Sequence, residues 1–515
     1  MTYIQRLSCA FITGWMGFQA YTIELDAPIL PLLYLAMVYI TLRAPHHDGA
    51  APSLGASLVW GGTPHALTAC WAWSLHGYVP GAYGALIGTA ALLGAVLGVL
   101  TAYSRPLDDE TDVQVGGFAL SWVLVHAGFG SLSLGIPLFV SSSLVVQPIW
   151  SQALALGGPP LLEGLLACVG GYVGEATLRL ARDRQLTPGK APLVRALGLT
   201  IVVGLSGHLR LSAFATSVHS TEAHASQDAQ PVVIIQGAIP GWFQQQTVTW
   251  DRLHGLSQEL YRALVAAEAS WLEEQRAPWL VLPESAIYRV LPDGKESWGF
   301  VDDLLPNDLG DTTVFTAVST MNGASDGPPY TYRFLMGETA DDGTLAPRGE
   351  SGKAVLTPLG DRNYAKGIPS QNLQTPRATI APLVCWDTLF ADLPRARVLE
   401  GAEVLMAVAN DGGALREGPS VHARMAVMRA IETGRPLIFA SQTGPSLVAD
   451  PLGRIVATMP QGAQGSLRVW IDPAPVWTPW LLWGPYLLPL CSLLWMGAAW
   501  RARTTRVVST HRTSP

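Results

Sequence analysis

Residues Ala378–Asp387 read ATIAPLVCWD, an apolar run that ends by delivering a cysteine. The run is short, β-rich and bounded by polar residues, so the pattern predicts a buried strand over Ala378–Val384 that turns at Cys385. The other four cysteines, Cys9, Cys70, Cys168 and Cys491, all lie in long hydrophobic segments. Cys385 is therefore the single thiol of the polar part of the chain, with no neighbour there to form a disulfide. A free cysteine is also among the residue types most often buried for packing alone. Position by itself leaves a structural and a chemical role equally open.

The block around this stretch, residues 231–472, alternates strand and helix signals. Short apolar runs occur at Val232–Gln236, Trp279–Leu282, Thr313–Ser319, Val404–Ala409, Pro436–Ser441, Leu447–Asp450 and Leu467–Ile471. Helical patterns occupy Trp250–Glu274 and Ser420–Thr433, the second followed by Gly434, a usual stop signal. Strands alternating with helices argue for layered α/β structure.

Outside this block the chain is of another kind. It is 49% hydrophobic and 14% charged over 515 residues, far below the quarter charged residues of a soluble domain. Apolar segments long enough to cross a bilayer account for the difference. Seven fall at about 8–23, 27–43, 54–77, 81–103, 117–140, 158–178 and 193–213, and an eighth at 473–500. The first lacks the small-residue cleavage site of a signal peptide. Many of the eighteen tryptophans lie near segment ends, as interfacial anchors do. Arg6, Arg43, Arg105, the Arg179–Arg195 loop and the tail RARTTRVVSTHR all fall on one side if every span is real. By the positive-inside rule that side is cytoplasmic, and the α/β block lies outside it.

The expected organisation is a membrane domain over 1–219, a linker over 220–230, a catalytic domain over 231–472, a last transmembrane helix over 473–500 and a basic cytoplasmic tail over 501–515. A net charge of −7 and the lack of basic tracts with interleaved aromatics argue against a nucleic-acid partner. The His, Cys, Asp and Glu residues show no metal-ligand spacing, and no phosphate-binding glycine motif precedes a helix. No cofactor or metal is expected.

Three polar residues stand at the ends or edges of apolar runs: Glu284 ends WLVLPE, Lys353 begins KAVLTPLGD and Cys385 ends ATIAPLVC. Singly, Glu284 could cap a following helix and Lys353 could be a solvated loop lysine. Together they supply what a thiol nucleophile needs. A carboxylate in a dry site takes the proton, and an ammonium group stabilises the anions that form.

Here the sequence resembles the nitrilase, or carbon–nitrogen hydrolase, superfamily, whose hallmark is a Glu–Lys–Cys triad. The resemblance is carried by VVIIQGAIPG (Val232–Gly241), WLVLPESAI (Trp279–Ile287), KAVLTPLGD (Lys353–Asp361), LVCWD (Leu383–Asp387), VAND (Val408–Asp411) and ARMAVMRAIETGRPLIFASQTG (Ala423–Gly444). It implies an αββα sandwich in the soluble block. Lys366 is a rival lysine, but only Lys353 has the L-x-P-L-G-D context. The same block set between seven spans and one span looks like the apolipoprotein N-acyltransferase family. That resemblance implies a phospholipid acyl donor, a thioester on the cysteine and a diacylglyceryl lipoprotein, or another membrane-anchored peptide, as acceptor. It implies an inner-membrane location with the catalytic domain extracytoplasmic. Carried over by position, Cys385 is the nucleophile, Glu284 the general base and Lys353 the oxyanion stabiliser. Asp361 takes the place of a second carboxylate, and the Trp386 backbone N–H that of a second oxyanion donor.

Several positions depart from the family pattern. Asp361 and Asp387 are a methylene shorter than the usual glutamates, Ala238 replaces an asparagine, GGALREGPS replaces an aromatic loop, and Val123–Ser131 lacks a charged W-L-R-G type signature. These changes touch substrate handling, so a membrane-tethered amidase or acyl-transfer enzyme acting on another extracytoplasmic peptide, such as a pilin in a conjugal-transfer system, is the alternative. His422 is read as packing or substrate-side hydrogen bonding rather than as a base. Arg429 and Glu432 are read as a structural pair, Trp242 and Phe243 as acyl contacts or interfacial anchors, and Glu163 and His208 as groups that snorkel or meet headgroups.

Overall fold

A computed structural model describes residues 12–13, 16, 29–43, 92, 94, 96, 111–131, 140–145, 147–183, 189–222, 225–239, 250–292, 296–306, 309–321, 328, 330–340, 344–357, 361, 363–368, 371–412, 418–473 and 475–512. The chain divides into two compact units, Met1–Ser74 with Val79–Ala213 and Leu482–Pro515, and Leu75–Tyr78 with Phe214–Leu481.

The first unit is helical. Its described helices are α1 (Ile29–Arg43), α2 (Thr111–Ser131), α3 (Ala153–Asp183), α4 (Lys190–Ala213) and the C-terminal helix from Pro479 to Arg512. Three stretches are long and apolar enough to cross a membrane: Ala153–Arg182, Lys190–Ala213 and Pro479–Gly497. The last starts later than the 473–500 expected and continues as helix through the basic tail. The spans expected at 27–43 and 117–140 correspond to α1 and to α2, which starts and ends earlier. Those expected at 8–23, 54–77 and 81–103 lie outside the described residues, apart from single helical positions.

Helices α1, α2 and α4 all pack on α3. The approach of α1 is close because α3 presents glycines. A Cβ on Gly170 would lie 2.6 Å from Leu35 Cβ, and one on Gly174 would lie 2.9 Å from Tyr39 Cδ1. Near its start α3 kinks at Gly157 and Gly158, whose φ angles are −146° and +64°, just before Pro159 and Pro160. Glu163 does not snorkel, as the sequence suggested. It is buried and accepts hydrogen bonds from Trp122 Nε1 at 2.8 Å and the Ser141 backbone N–H at 2.7 Å. A carboxylate in an apolar bundle needs such donors, and the fold supplies them internally. His208 is exposed.

The second unit is built on two sheets. Its strands are β1 (Val218–His219), β2 (Gln230–Gln236), β3 (Trp279–Glu284), β4 (Val290–Leu291), β5 (Thr313–Met321), β6 (Tyr330–Thr339), β7 (Leu345–Gly352), β8 (Leu373–Gln374), β9 (Thr379–Val384), β10 (Val404–Ala409), β11 (Leu437–Ser441), β12 (Ser446–Ala449), β13 (Ile455–Met459) and β14 (Gly465–Ile471). One sheet runs β1-β14-β2-β3-β5-β6-β7, with β4 beside β5; the other runs β13-β12-β11-β10-β9-β8. Each has a parallel centre, β2-β3-β5 and β9-β10-β11. The middles of these strands are mostly apolar because both faces are covered.

The unit's helices are α5 (Trp250–Ala266), α6 (Ala269–Glu274), α7 (Glu296–Asp302), α8 (Asp392–Leu399) and α9 (Gly418–Thr433). Leu253, Tyr261, Val265, Leu272 and Trp298 from the first three pack on Val233, Leu280, Leu282 and Val314 of the first sheet. Helices α8 and α9 cover the second sheet, and the sheets meet through β2, β3, β5 and β6 against β9, β10 and β11. The result is the αββα sandwich that the sequence implied.

Two local expectations are corrected. The helix expected over Trp250–Glu274 is broken into α5 and α6 by a turn at residues 267–268. Lys353 does not begin an apolar strand. It follows β7, LAPRGESG, a polar strand that pairs with β6 at the end of the described sheet, and the AVL after it is not extended in a sheet. Such a strand carries no periodic signal, because its pairing comes from the neighbouring strand.

Candidate active site

Glu284 reaches the space between the sheets through an irregularity. On strict alternation it would share the helix-facing side of Leu280 and Leu282. The register of β3 against β5 shifts between Val281 and Glu284, where Pro283 cannot donate to the ladder. The bulge turns Glu284 toward β10, where its Oε2 accepts the Asn410 backbone N–H at 2.9 Å.

Lys353 is fixed by its backbone. Its N–H donates to Tyr332 O at 3.1 Å, and its carbonyl accepts Gly367 N–H at 2.8 Å. Gly352 and Gly367 cross so closely that a Cβ on Gly367 would lie 2.4 Å from Gly352 Cα. The crossing drives Lys353 inward, where it is 1% exposed. The rival Lys366 points to the surface.

Cys385 ends β9 and opens a 3-10 turn, Cys385–Leu389. Its φ is +49°, a left-handed conformation rare for a residue with a Cβ. Holding it costs about 1–2 kcal/mol, so surrounding contacts must fix it. Asp387 supplies several. Its carboxylate accepts the backbone N–H groups of Val384 at 2.9 Å, Val355 at 2.8 Å and Ala354 at 3.0 Å. One buried side chain thus ties the cysteine turn to the segment after Lys353.

The three predicted residues converge, and Asp361 joins them. Lys353 Nζ lies 3.0 Å from Asp361 Oδ2 and 3.6 Å from Glu284 Oε1. Asp361 also accepts Thr357 N–H at 2.7 Å. Glu284 and Lys353 are the charged groups that act most strongly on the Cys385 thiol. Trp386 follows in the turn, partly buried. Lys353 Nζ also sits 4.4 Å from the centroid of the Tyr332 ring, which stacks at 4.1 Å on Tyr364. Tyr332 was not singled out beforehand, since nothing in YTYRFLM separates a site tyrosine from a strand aromatic.

Burial sets the electrostatics. It pushes the Glu284 carboxyl up; Lys353 pulls it down and Asp361 pushes it up again. Burial also pushes the Cys385 thiol well above its ordinary value, with Glu284 adding to the rise and Lys353 opposing it. Burial alone would lower Lys353, but Asp361 and Glu284 outweigh it and hold the ammonium well above its usual range. The resting arrangement is a neutral thiol beside Glu284 and a permanent cation. A thiol held in this way can act as a nucleophile when a neighbouring carboxylate takes its proton.

Behind the turn lies His422 of α9. Its Nδ1 is 2.7 Å from Asp411 Oδ1, and its Nε2 is 3.1 Å from the Cys385 carbonyl oxygen and 2.9 Å from Thr388 Oγ1. Burial would lower its pKa, but Asp411 and the hydrogen bonds raise it overall. Arg429 and Glu432 form a fully buried pair at 2.6 Å, as read from the sequence. Trp242, Phe243 and residues 413–417 of the substituted loop lie outside the described residues. Among the described residues no group of His, Cys, Asp and Glu side chains has the arrangement of a metal site.

Residues 329–476 match the carbon–nitrogen hydrolase family. Along most of its length the chain is similar to curated apolipoprotein N-acyltransferases. It is 28% identical over 491 residues to that of Pseudomonas aeruginosa (strain LESB58), covering 88% of this chain and 87% of the relative. It is 27% identical over 448 residues to that of Vibrio cholerae serotype O1, covering 82% and 81%. Among solved structures, the carbon–nitrogen hydrolase from Helicobacter pylori G27 is 16% identical, with a TM-score of 0.38, over 48% of this chain and 90% of that one.

Proposed function

We propose that this chain is a phospholipid-dependent N-acyltransferase of the inner membrane that acylates the α-amine of a lipoprotein's N-terminal cysteine. The observation that carries the reading is the buried Cys385–Glu284–Lys353–Asp361 cluster on a strained turn, in a chain whose likeness to apolipoprotein N-acyltransferases continues through its apolar part. The one-sided distribution of the basic loops supports an extracytoplasmic catalytic unit, where donor and acceptor would both be lipid-anchored.

The reaction follows from the roles these groups can fill. Cys385 Sγ attacks the ester carbonyl of a phospholipid as its proton passes to Glu284. A C–S bond forms, and the carbonyl oxygen becomes an oxyanion beside Lys353 and the Trp386 N–H. Collapse breaks the ester C–O bond, and the lysophospholipid leaves with the proton from Glu284. The acceptor's α-amine then attacks the thioester and gives a proton to Glu284. The C–S bond breaks, the amide is released and Cys385 recovers its proton. Asp361 keeps Lys353 charged and aimed throughout.

Mass spectrometry tests this. Purified protein incubated with phospholipid vesicles should gain a hydroxylamine-labile mass of one fatty acyl group on Cys385, absent from Cys385→Ala. Adding a diacylglyceryl peptide with a free N-terminal cysteine should discharge it to an amide. No adduct under these conditions would sink the proposal. Discharge to water alone would favour the amidase alternative.

A further inference from the structure

The nucleophile turn has a second holder on its far side. The Cys385 carbonyl accepts the Thr388 hydroxyl at 2.8 Å and lies 3.1 Å from His422 Nε2. Thr388 commits its single proton to that carbonyl. A bare Nε2 would therefore set a lone pair against the carbonyl oxygen, so Nε2 carries a proton. Nδ1 faces Asp411 Oδ1 at 2.7 Å, and Asp411 Oδ2 accepts the Ser441 hydroxyl at 2.8 Å. Both ring nitrogens thus face acceptors, and the ring is an imidazolium with both protons in use.

The pocket leaves little freedom for another arrangement. Asp411 and His422 are each 7% exposed, and a Cβ on Gly444 would lie 2.6 Å from Asp411 Oδ2. The ring meets Phe439 edge-on at 5.2 Å. His422 does not serve as the base, because its Nε2 is spent on the Cys385 carbonyl and its Nδ1 on Asp411.

We infer that His422 is a positioning residue: held by Asp411, it pins the carbonyl of Cys385 and so keeps the nucleophile's backbone in its left-handed conformation. A turn at φ +49° relaxes when its carbonyl is released, and the thiol then leaves its register with Glu284 and Lys353. A misplacement of about 1 Å at a nucleophile costs about 100-fold in rate. The inference rests on the acyl-transfer reading for its activity readout only; the reactivity of the thiol itself tests it without that reading.

The two amide substitutions separate the halves of the ring. Glutamine places its amide nitrogen near the position of Nε2 and keeps the bond to the Cys385 carbonyl. Asparagine reaches only the position of Nδ1 and keeps the bond to Asp411. The full-length protein and its His422→Gln, His422→Asn and Thr388→Val variants are treated with iodoacetamide, and alkylation of the Cys385 peptide is timed by mass spectrometry. Thermal melting and single-turnover acylation by phospholipid vesicles are followed in parallel. His422→Asn should slow alkylation and acylation by roughly 100-fold with donor KM unchanged, while His422→Gln stays within about threefold of wild type. Thr388→Val should slow both by about tenfold, and it carries the test if His422→Asn fails to fold. Equal losses in the two amide variants, losses confined to KM, or an unchanged rate in Thr388→Val would overturn the inference. If alkylation follows the expected order but no variant or wild type forms an acyl adduct, the positioning role stands and the acyl-transfer reading fails.

Discussion

Lys353 lies between two buried carboxylates, 3.0 Å from Asp361 and 3.6 Å from Glu284. Removing it leaves both acids without their cation, and breaking a buried pair in this way costs about 3–5 kcal/mol. Lys353→Met should therefore lose acylation by at least 100-fold and also melt several degrees lower, readable by calorimetry. Tyr332 acts on the same lysine through its ring rather than its hydroxyl. Tyr332→Phe should keep the melting temperature and the rate near wild type, whereas Tyr332→Leu should lose about 0.5–2 kcal/mol. Equal effects of the two changes would refute the cation–π contact. Asp387 predicts a divergence with pH. Burial pushes its carboxyl up to about 6, against 3.8 ordinarily, even with three N–H donors on it. A folded-state value above the unfolded one means that its contribution to stability is full below about pH 4 and is lost as pH rises through about 6. The difference is about 3 kcal/mol at ~1.4 kcal/mol per unit. Activity should run the other way, because a protonated Asp387 turns an acceptor away from the N–H groups that tie the cysteine turn to the lysine segment. Melting temperatures and acylation rates measured from pH 4.5 to 7.5 test this, and a parallel decline toward low pH would count against it.

At the scale of elements, three irregular features aim the site. They are the bulge before Glu284, the glycine crossing that turns Lys353 inward, and the left-handed turn at Cys385. The crossing gives a direct prediction. In Gly367→Ala the new Cβ would meet the Gly352 backbone, which cannot swing aside as a side chain would. A destabilisation of about 1–3 kcal/mol follows from overpacking, with loss of acylation because Lys353 moves, checked by denaturant melts and single-turnover rates. A variant as stable and active as wild type would show that the crossing is slack. These features also mark where sequence reasoning stopped. Strands β2, β3, β5, β9, β10 and β11 were readable because a strand buried on both faces is a continuous apolar run. Strand β7 was not, since an edge strand such as LAPRGESG is held by its partner and needs no pattern of its own. Lys353 was therefore found by motif, while its setting at the end of a polar edge strand was not.

At the scale of the whole molecule, the apolar helices and the α/β unit belong to one lipid-dependent function in the reading proposed here. Orientation is the testable part. A reporter fused after Pro515 should read cytoplasmic, and one inserted in Ser220–Gln230 should read outside. A reversed pair would place the catalytic unit on the cytoplasmic side and remove its access to an extracytoplasmic lipoprotein.

The sequence by itself determined the apolar and α/β parts of the chain, the core strands, and the single thiol of the polar part. Each of these depends on residue type and local period. Only the tertiary structure decided that Glu284 faces the second sheet, that Lys353 rather than Lys366 is buried beside it, and that Glu163 is satisfied inside its own helical unit. The grip of Asp387 and His422 on the cysteine turn was likewise decided only there. Those outcomes depend on bulges, backbone crossings and hydrogen bonds between residues tens to more than a hundred positions apart, which no local pattern of side chains encodes.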